Sequence, residues 1–241
     1  MRSVLLTGDS HLGALRRGAD LLEQEVDASR IVFWPLGAGG SARAPVHRFD
    51  PEAQTVTTIV PEWRNRSFSA GEIAGAAGKD ALLVVSLPLH PTRLLRNHSW
   101  HAHAPWRFAQ EAQIALSDRM IAAMIDADSR YALQLTRDLA RVCPDCAVLE
   151  APRPFSNARY LRRMPVEIAL HLDTLYRAQV RAALEQAGIA VIAQPDSSVL
   201  PDGTTNLAFD NENPEDDHHA NARYGALVLR QILTYADAGS G

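Results

Sequence analysis

Five short runs of apolar residues, rich in β-branched side chains, alternate with longer helical stretches along this chain. The runs cover residues 3–6, 30–34, 81–87, 146–150 and 189–193. Strands that alternate with helices pair in parallel, because each helix carries the chain back to the same end of the sheet. The runs are apolar throughout, which is typical of strands covered by helices on both faces. The sequence therefore predicts an α/β fold, a three-layer α/β/α sandwich around a five-stranded parallel sheet.

The segments between these runs supply the outer layers of the predicted sandwich, which resembles the flavodoxin fold. Helical spacing of apolar residues extends over residues 12–26, 70–77, 108–142 with a break near 127–128, 166–187 and 220–235. Residues 46–59 alternate polar and apolar side chains around Asp50-Pro51-Glu52, which predicts a small β-hairpin insertion. With 241 residues, 46% of them hydrophobic, we expect one domain spanning residues 1–241.

The first run ends in Gly8-Asp9-Ser10, which brings a serine to the carboxyl edge of the predicted sheet. Ligands of open parallel sheets bind outside this edge, and the following helix points its free N–H groups at the same place. Ser10 there is either a nucleophile beside ready-made anion stabilisation or a helix N-cap. His11 follows it, and we expect this histidine to pack the turn.

A carboxylate and an imidazole lie three residues apart near the other end of the chain, within Asp216-Asp217-His218-His219-Ala220-Asn221. If this turn lies beside the first strand, His219 can accept the Ser10 proton while Asp216 holds the other ring nitrogen. Two adjacent residues offer an alternative pair, Asp217 and His218.

Gly8-Asp9-Ser10 and Asp216-x-x-His219-x-Asn221 resemble the first and last sequence blocks of the SGNH, or GDSL, hydrolases and occur in that family's order. The resemblance implies that Ser10 is the nucleophile, His219 the base and Asp216 its orienting partner. It also implies that the Ser10 N–H contributes to an oxyanion hole. The register with Asn221 favours His219 over its neighbour.

The second and third blocks concern the oxyanion hole, where the chain departs from the family pattern. In this family a glycine of the second block donates its N–H to the oxyanion. Gly40 takes that place here, with Gly39 as the neighbouring choice. A flexible turn that needs glycine explains both residues almost equally well. The third block usually ends in an asparagine whose amide binds the oxyanion, and here His90 stands there. Either one His90 N–H substitutes, Asn97 reaches in from the next loop, or the oxyanion is weakly held.

Residues 96–106 contain three histidines and two tryptophans, a composition that permits three interpretations. The first is a metal site of His98, His101 and His103, for which no carboxylate or thiolate completes a tetrahedral set. The second is a substrate wall, and the third is simple surface packing. The candidate wall residues are Asn97, Trp100, His101 and, from the loop after the fourth strand, Arg153. We expect neither a metal nor a cofactor.

Charge and hydropathy limit the classes of partner. The formal net charge is −4 with both signs interspersed, which argues against a nucleic-acid or anionic-membrane surface. No apolar run is long enough to span a bilayer, and Met1-Arg2-Ser3 leads directly into the first strand without a signal sequence, so we expect a cytoplasmic protein. The pair Cys143 and Cys146 falls in a helix-to-strand connection, where we expect a structural role. The pattern leaves the oligomeric state open.

Together these features predict a serine esterase that cleaves a small or carbohydrate-linked O-acyl ester through an acyl-enzyme intermediate. Two alternatives stay open. One is an acyltransferase of the same fold, which passes the acyl group to an alcohol. The other is a non-catalytic carbohydrate- or ligand-binding protein with a degenerate oxyanion hole.

Overall fold

The computed structural model describes residues 1–22, 27–63, 66–213 and 215–239. Its strands are β1 (Val4–Gly8), β2 (Ile31–Pro35), β3 (His47–Asp50), β4 (Thr55–Thr58), β5 (Ser67–Phe68), β6 (Leu82–Val85), β7 (His103–Pro105), β8 (Ile114–Leu116), β9 (Cys146–Leu149) and β10 (Ala190–Ile192). Its α-helices are α1 (Leu12–Leu22), α2 (Ala70–Ala77), α3 (Thr92–Leu95), α4 (Asp118–Val142), α5 (Val166–Glu185) and α6 (Ala222–Ala238). The predicted end of the first helix, residues 23–26, lies outside the described residues.

Five strands form the central sheet in the order β10-β9-β6-β1-β2, and every pairing is parallel. In this sheet Gly8 at the end of β1 lies opposite Pro35 of β2. The chain passes from β1 to β2 on one side and returns to β6 on the other, so the strand order reverses beside β1. Such a switch point is where open α/β sheets bind ligands. The predicted α/β fold with a five-stranded parallel sheet is confirmed.

Helices cover both faces of the sheet. Successive side chains of a strand point to opposite faces, so each strand packs against both helical layers. Val4 and Leu6 pack into a core shared with α1 and α6. Leu5, which lies between them, packs into a second core shared with α2 and α4. Val148 of β9 packs with α5 on the same side as α4. The result is the three-layer sandwich expected from the apolar runs.

The predicted hairpin is formed by β3 and β4, which pair antiparallel with Phe49 opposite Val56. A short third strand, β5, extends this ribbon by pairing with β4, which the sequence analysis did not predict. The inward side chains Val56 and Phe68 are fully buried and join the core that contains Trp63. The insertion is therefore anchored by its own apolar face.

One predicted helix starts too early. α4 begins at Asp118 and continues without a break, so both the predicted start at residue 108 and the predicted break near 127–128 are wrong. The Ser117 hydroxyl accepts a hydrogen bond from the Met120 N–H and caps the helix. Residues upstream form turns and the short β7–β8 ribbon instead. None of the helices in the described ranges has the length and apolarity that a membrane crossing requires.

The two cysteines lie where the sequence places them, between a helix and a strand. Cys143 follows the last residue of α4, and Cys146 is the first residue of β9. Both are free thiols, and burial raises the pKa of each. A raised thiol pKa disfavours the reactive thiolate, in keeping with the structural role expected.

Candidate active site

Ser10 is exposed in the turn between β1 and α1, at the carboxyl edge of the sheet. Gly8 before it has a φ of 134°, and a Cβ there would lie 2.3 Å from Ser86 Oγ, so only glycine fits. The buried Asp9 carboxylate accepts hydrogen bonds at 3.1 Å from the His11 N–H and from the Ser86 hydroxyl. These contacts fix the turn that presents Ser10.

The turn before α6 brings a histidine to this serine. His219 Nε2 lies 2.7 Å from Ser10 Oγ, and its Nδ1 lies 2.9 and 2.8 Å from the two carboxylate oxygens of Asp216. An ionised carboxylate can only accept a hydrogen bond, so Nδ1 carries the proton of the neutral ring. Nε2 is then free to accept the serine proton. Ser10 and His219 are 209 positions apart in the chain, and with Asp216 they form a row of three hydrogen-bonded side chains.

The start of α6 holds this histidine turn in place. The Asn221 side chain accepts a hydrogen bond from the Tyr224 N–H at 3.1 Å and caps the helix, while its own N–H donates to the Phe209 carbonyl at 2.9 Å. Burial by itself would raise the pKa of Asp216. The hydrogen bonds from His219, together with the charge that this ring carries once protonated, outweigh burial, so the pKa of Asp216 lies below its ordinary value.

The adjacent pair Asp217 and His218 is engaged elsewhere. Asp217 pairs with the Arg96 guanidinium and accepts the Arg159 N–H at 2.9 Å. Arg96 Nη2 also lies 3.0 Å from His218 Nδ1, and the same ring nitrogen lies 3.1 Å from Asp216 Oδ1. Burial and then the charges of His219 and Arg96 lower the pKa of His218 to about 4. The structure therefore places His219, and not His218, against the serine.

His90, which stands where the family has asparagine, has both ring nitrogens beside other protein atoms. Nε2 lies 2.7 Å from Thr92 Oγ1 and 2.7 Å from His11 Nε2, and Nδ1 lies 3.4 Å from Asp9 Oδ2. His90 lines the same cleft as Ser10, but Nε2 is taken up by Thr92 and His11, so these contacts do not support His90 as an oxyanion donor. Burial and then the charge of His90 lower the pKa of His11, which stays neutral and packs the turn as expected.

The glycine-rich turn after β2 approaches Ser10 from the other side. Gly39 and Gly40 both line the same cleft as the serine, and Gly39–Ser41 form a single 3₁₀ turn. Within the described residues, the N–H groups of Ser10, Gly39 and Gly40 have no hydrogen-bond partner. All three N–H groups are thus unpaired at the border of the cleft, and both glycines remain candidates for the oxyanion hole.

The cleft beside these groups has a volume of about 1070 Å³. Its apolar lining comes from the loop after β6 and from α3 and α4, namely Leu87, Leu94, Met124 and Ala132. Its polar rim is formed by Arg43, Arg96, Asn97 and His98. The contribution of α4 to the cleft was not predictable from the sequence, because nothing in the spacing of a long amphipathic helix shows which of its turns borders a cavity.

Of the four residues predicted to form a substrate wall, Asn97 lines the cleft and the others do not. Trp100 is 2% exposed, and its indole N–H donates to a carbonyl of α3, so it belongs to the core. His101 is exposed outside the cleft, with Nδ1 against a carbonyl of its own turn. The Arg153 guanidinium lies 3.8 Å from the buried Asp173 carboxylate. The structure therefore does not bring these three residues to the cleft beside Ser10.

Two groups of side chains have potential metal-ligating atoms within 4.8 Å of one another: Asp9, His11 and His90, and Asp216, His218 and His219. In the second group the carboxylate already accepts the Nδ1–H of His219, which a metal would have to displace. The alternative metal site of His98, His101 and His103 is wrong for the described part of the chain, where these residues form no such group. Two of them instead place Nδ1 against backbone carbonyls of their own loop.

The similarity of this chain to known proteins is structural and comes at low sequence identity. No family model matches the chain, and no curated protein matches it in sequence. A GDSL-like lipase from Bacteroides thetaiotaomicron is 10% identical, with a TM-score of 0.44 over 99% of this chain and 89% of that chain. The periplasmic domain of a lipopolysaccharide acetyltransferase from Salmonella ser. Paratyphi A is 13% identical, with a TM-score of 0.48 over 98% and 84%.

A carbohydrate acetylesterase from Sinorhizobium meliloti is a further structural neighbour, 14% identical with a TM-score of 0.41 over 99% of each chain. The structural neighbours are thus GDSL-like lipases, esterases, acylhydrolases and an acetyltransferase. The similarity to these proteins is one of fold alone, and it assigns no role to any residue of this chain.

Proposed function

We propose that this protein is a serine ester hydrolase of the SGNH type that works through an acyl-enzyme intermediate. The observation that carries the proposal is the 2.7 Å contact between Ser10 Oγ and His219 Nε2, with Asp216 on the other ring nitrogen. An imidazole held in this tautomer is the base that a serine hydroxyl needs in order to attack a carbonyl.

The proposed reaction has two halves. Ser10 Oγ attacks the ester carbonyl carbon while His219 Nε2 takes its proton, and Asp216 stabilises the imidazolium that forms. The tetrahedral intermediate collapses as His219 returns this proton to the leaving alcohol, which leaves an acyl group on Ser10. A water molecule, deprotonated by His219, then attacks the acyl-enzyme and releases the carboxylic acid and the free serine.

The negative oxygen of each tetrahedral intermediate needs donors beside Ser10. We assign this role to the N–H groups of Ser10 and Gly40, which are unpaired within the described residues. Asn97 is the proposed third donor in place of His90. Its Oδ1 already accepts the Ser99 N–H at 2.9 Å, and its side chain lines the cleft, so the amide NH₂ group is left to donate.

A small or carbohydrate-linked O-acyl ester is the proposed substrate class. The cleft volume of about 1070 Å³ exceeds that of a short acyl group, so it has room for an alcohol of sugar size. The polar rim of Arg43, Arg96, Asn97 and His98 offers hydrogen-bond donors to hydroxyl groups. The apolar lining from α3 and α4 offers a surface for the acyl group.

Hydrolysis of p-nitrophenyl acetate and of an O-acetylated sugar tests the proposal. We expect Ser10→Ala to lower kcat/KM on the order of 10⁴-fold or more, because the nucleophile is lost. Ser99→Ala, which removes an exposed hydroxyl outside the proposed machinery, is the matched control and should keep wild-type activity. Equal activity of Ser10→Ala and wild type would sink the assignment.

Two further measurements separate the alternatives. Labelling of Ser10 by a fluorophosphonate is expected for the esterase and absent for a non-catalytic binding protein. Product analysis in the presence of a sugar acceptor is expected to show free acid as the main product, whereas an acylated acceptor would indicate a transferase.

A further inference from the structure

Two side chains outside the proposed relay donate to carbonyls of the glycine-rich turn, and one of them, Arg93, also lines the cleft. The Trp63 indole N–H donates to the Ala38 carbonyl at 3.1 Å, and Arg93 Nη1 donates to the Gly39 carbonyl at 3.2 Å. Trp63 is fully buried, and the Arg93 side chain is 14% exposed. The carbonyls of two consecutive peptide units are thereby anchored to the body of the protein.

Anchoring a carbonyl also orients an N–H group. The Ala38 carbonyl shares its peptide unit with the Gly39 N–H, and the Gly39 carbonyl shares its unit with the Gly40 N–H. In a trans peptide unit the C=O and N–H bonds point in opposite directions. Each anchor therefore turns one N–H away from itself, and neither of these N–H groups has a partner within the described residues.

Arg93 has little capacity left for a ligand of its own. Nε lies 3.1 Å from Asp128 Oδ1, and Nη2 donates to Asp128 Oδ2 at 3.2 Å and to the Asp128 backbone carbonyl. The Tyr176 hydroxyl donates to the same carboxylate at 3.1 Å. The guanidinium is thus locked between α4 and the glycine turn, so its contacts are those of a support and not of a substrate anchor.

We propose that Arg93 is a positioning residue that aims the Gly40 N–H at the oxyanion, while Trp63 fixes only the preceding peptide unit, which carries the Gly39 N–H. This inference rests on the proposed esterase function. A donor aimed in advance stabilises the charge that develops only in the transition state, so its orientation affects kcat more than KM. Comparing variants of the two anchors also shows which glycine N–H holds the oxyanion.

Steady-state kinetics on p-nitrophenyl acetate test the role of Arg93. We expect Arg93→Ala to lower kcat on the order of 10-fold or more with KM within about threefold of wild type, because a misaligned donor is lost in the transition state. Guanidinium at millimolar concentration should restore part of this kcat in Arg93→Ala. Arg137→Ala is the matched control, since Arg137 donates to the Ala183 carbonyl at 3.3 Å away from the site.

Trp63→Phe tests the other anchor, because it keeps an aromatic ring in the core and removes the indole N–H. A fall in kcat in Trp63→Phe but not in Arg93→Ala would move the role to Gly39 and overturn the assignment of Arg93. Trp106→Phe is the control, since the Trp106 indole N–H donates at 3.1 Å to the Asp118 carboxylate away from the proposed donors. Circular dichroism of each variant reports whether it folds.

Three results bear on Arg93 directly. A raised KM with unchanged kcat in Arg93→Ala would show that the guanidinium binds substrate, and would overturn the inference. If Arg93→Ala does not fold, Arg93→Met keeps an extended side chain without any N–H donor, and an unchanged kcat in that variant would overturn it as well. Esterase activity that disappears in Ser10→Ala but persists undiminished in both Arg93 variants would reject this inference alone and leave the proposed function standing.

Discussion

Four histidines surround Ser10, and the protons that they carry affect both chemistry and stability. The rings of His11 and His90 have centroids 3.9 Å apart, and those of His218 and His219 are 3.8 Å apart. Crowded imidazoles cannot all be charged, because like charges in a partly buried site repel one another. The proposed relay accordingly requires its neighbours to stay neutral while His219 takes up the serine proton.

The lowered pKa of His218 predicts a loss of stability in mild acid. In the folded protein this pKa is about 4, against an ordinary value of 6.5, so the unfolded chain binds more protons between these two values. The free energy of unfolding should therefore fall as the pH drops from about 6.5 toward about 4. His11, whose pKa is also lowered, contributes in the same direction.

Thermal unfolding at a series of pH values between 7 and 5 measures this effect. We expect the melting temperature to fall over this range, and to fall less steeply in His218→Gln, which cannot be protonated. His98→Gln, which replaces an exposed histidine, is the control. A pH dependence in His218→Gln as steep as that of the wild type would contradict the assignment to His218.

At the scale of elements, the packing of α1 on α6 sets the separation of the serine and the histidine. α1 starts two residues after Ser10, and α6 starts three residues after His219. The helices touch through glycine: a Cβ added at Gly225 would lie 1.9 Å from the Ala14 carbonyl oxygen. This close approach allows two turns from opposite ends of the chain to meet.

Gly225→Ala should push the two helices apart. We expect it to lower the free energy of unfolding by about 1–3 kcal/mol, as overpacking in a tight interface does. We also expect a lower kcat, because the contact between His219 and Ser10 lengthens. Urea unfolding and ester hydrolysis measure the two effects.

Gly75→Ala in α2 is the matched control for this substitution. A Cβ at Gly75 has no atom within 4 Å, so alanine there should be neutral or add up to about 1 kcal/mol through its higher helix propensity. A Gly225→Ala variant as stable and active as Gly75→Ala would show that the helix contact does not control the site.

For the whole molecule, a buried ion network joins α5 to the carboxyl edge of the sheet. Arg177 Nε lies 2.9 Å from both carboxylate oxygens of Asp173, and Arg177 Nη1 lies 3.6 Å from Glu150. The same guanidinium donates to the Ala151 carbonyl at 3.1 Å. All of these side chains are buried, so each charge depends on its partner.

Removing one partner from this network should destabilise the whole fold. We expect Asp173→Ala to lower the free energy of unfolding by about 3–5 kcal/mol, because it leaves the Arg177 charge buried with less compensation. Arg141→Ala, which breaks an ion pair whose arginine side chain is 63% exposed, should cost no more than about 1 kcal/mol. Urea unfolding of both variants makes the comparison, and equal losses would refute the special role of the buried network.

Local patterns in the chain were sufficient to predict the sheet. Runs of residues that are apolar on both faces form strands wherever helices cover them, so the five strands follow from composition and spacing. The β-hairpin likewise follows from its own alternation. The start of α4 was missed although Ser117 and Asp118 form a capping signal, because apolar residues upstream happened to continue the helical spacing.

In the candidate site, too, some features follow from local sequence and others from contacts between distant residues. By itself the sequence determined the parallel α/β sandwich, because the fold depends on the short-range spacing of apolar residues. It also pointed to Ser10, Asp216 and His219 as candidates, because their side-chain chemistry suits a serine nucleophile and its base. The register with Asn221 already favoured His219, but only the tertiary structure decided that Trp100 is buried, that the Nε2 of His90 is taken up by Thr92 and His11, and that Arg93 contacts the glycine turn. Those contacts join residues far apart in the chain, and their geometry depends on how helices and loops pack against the sheet.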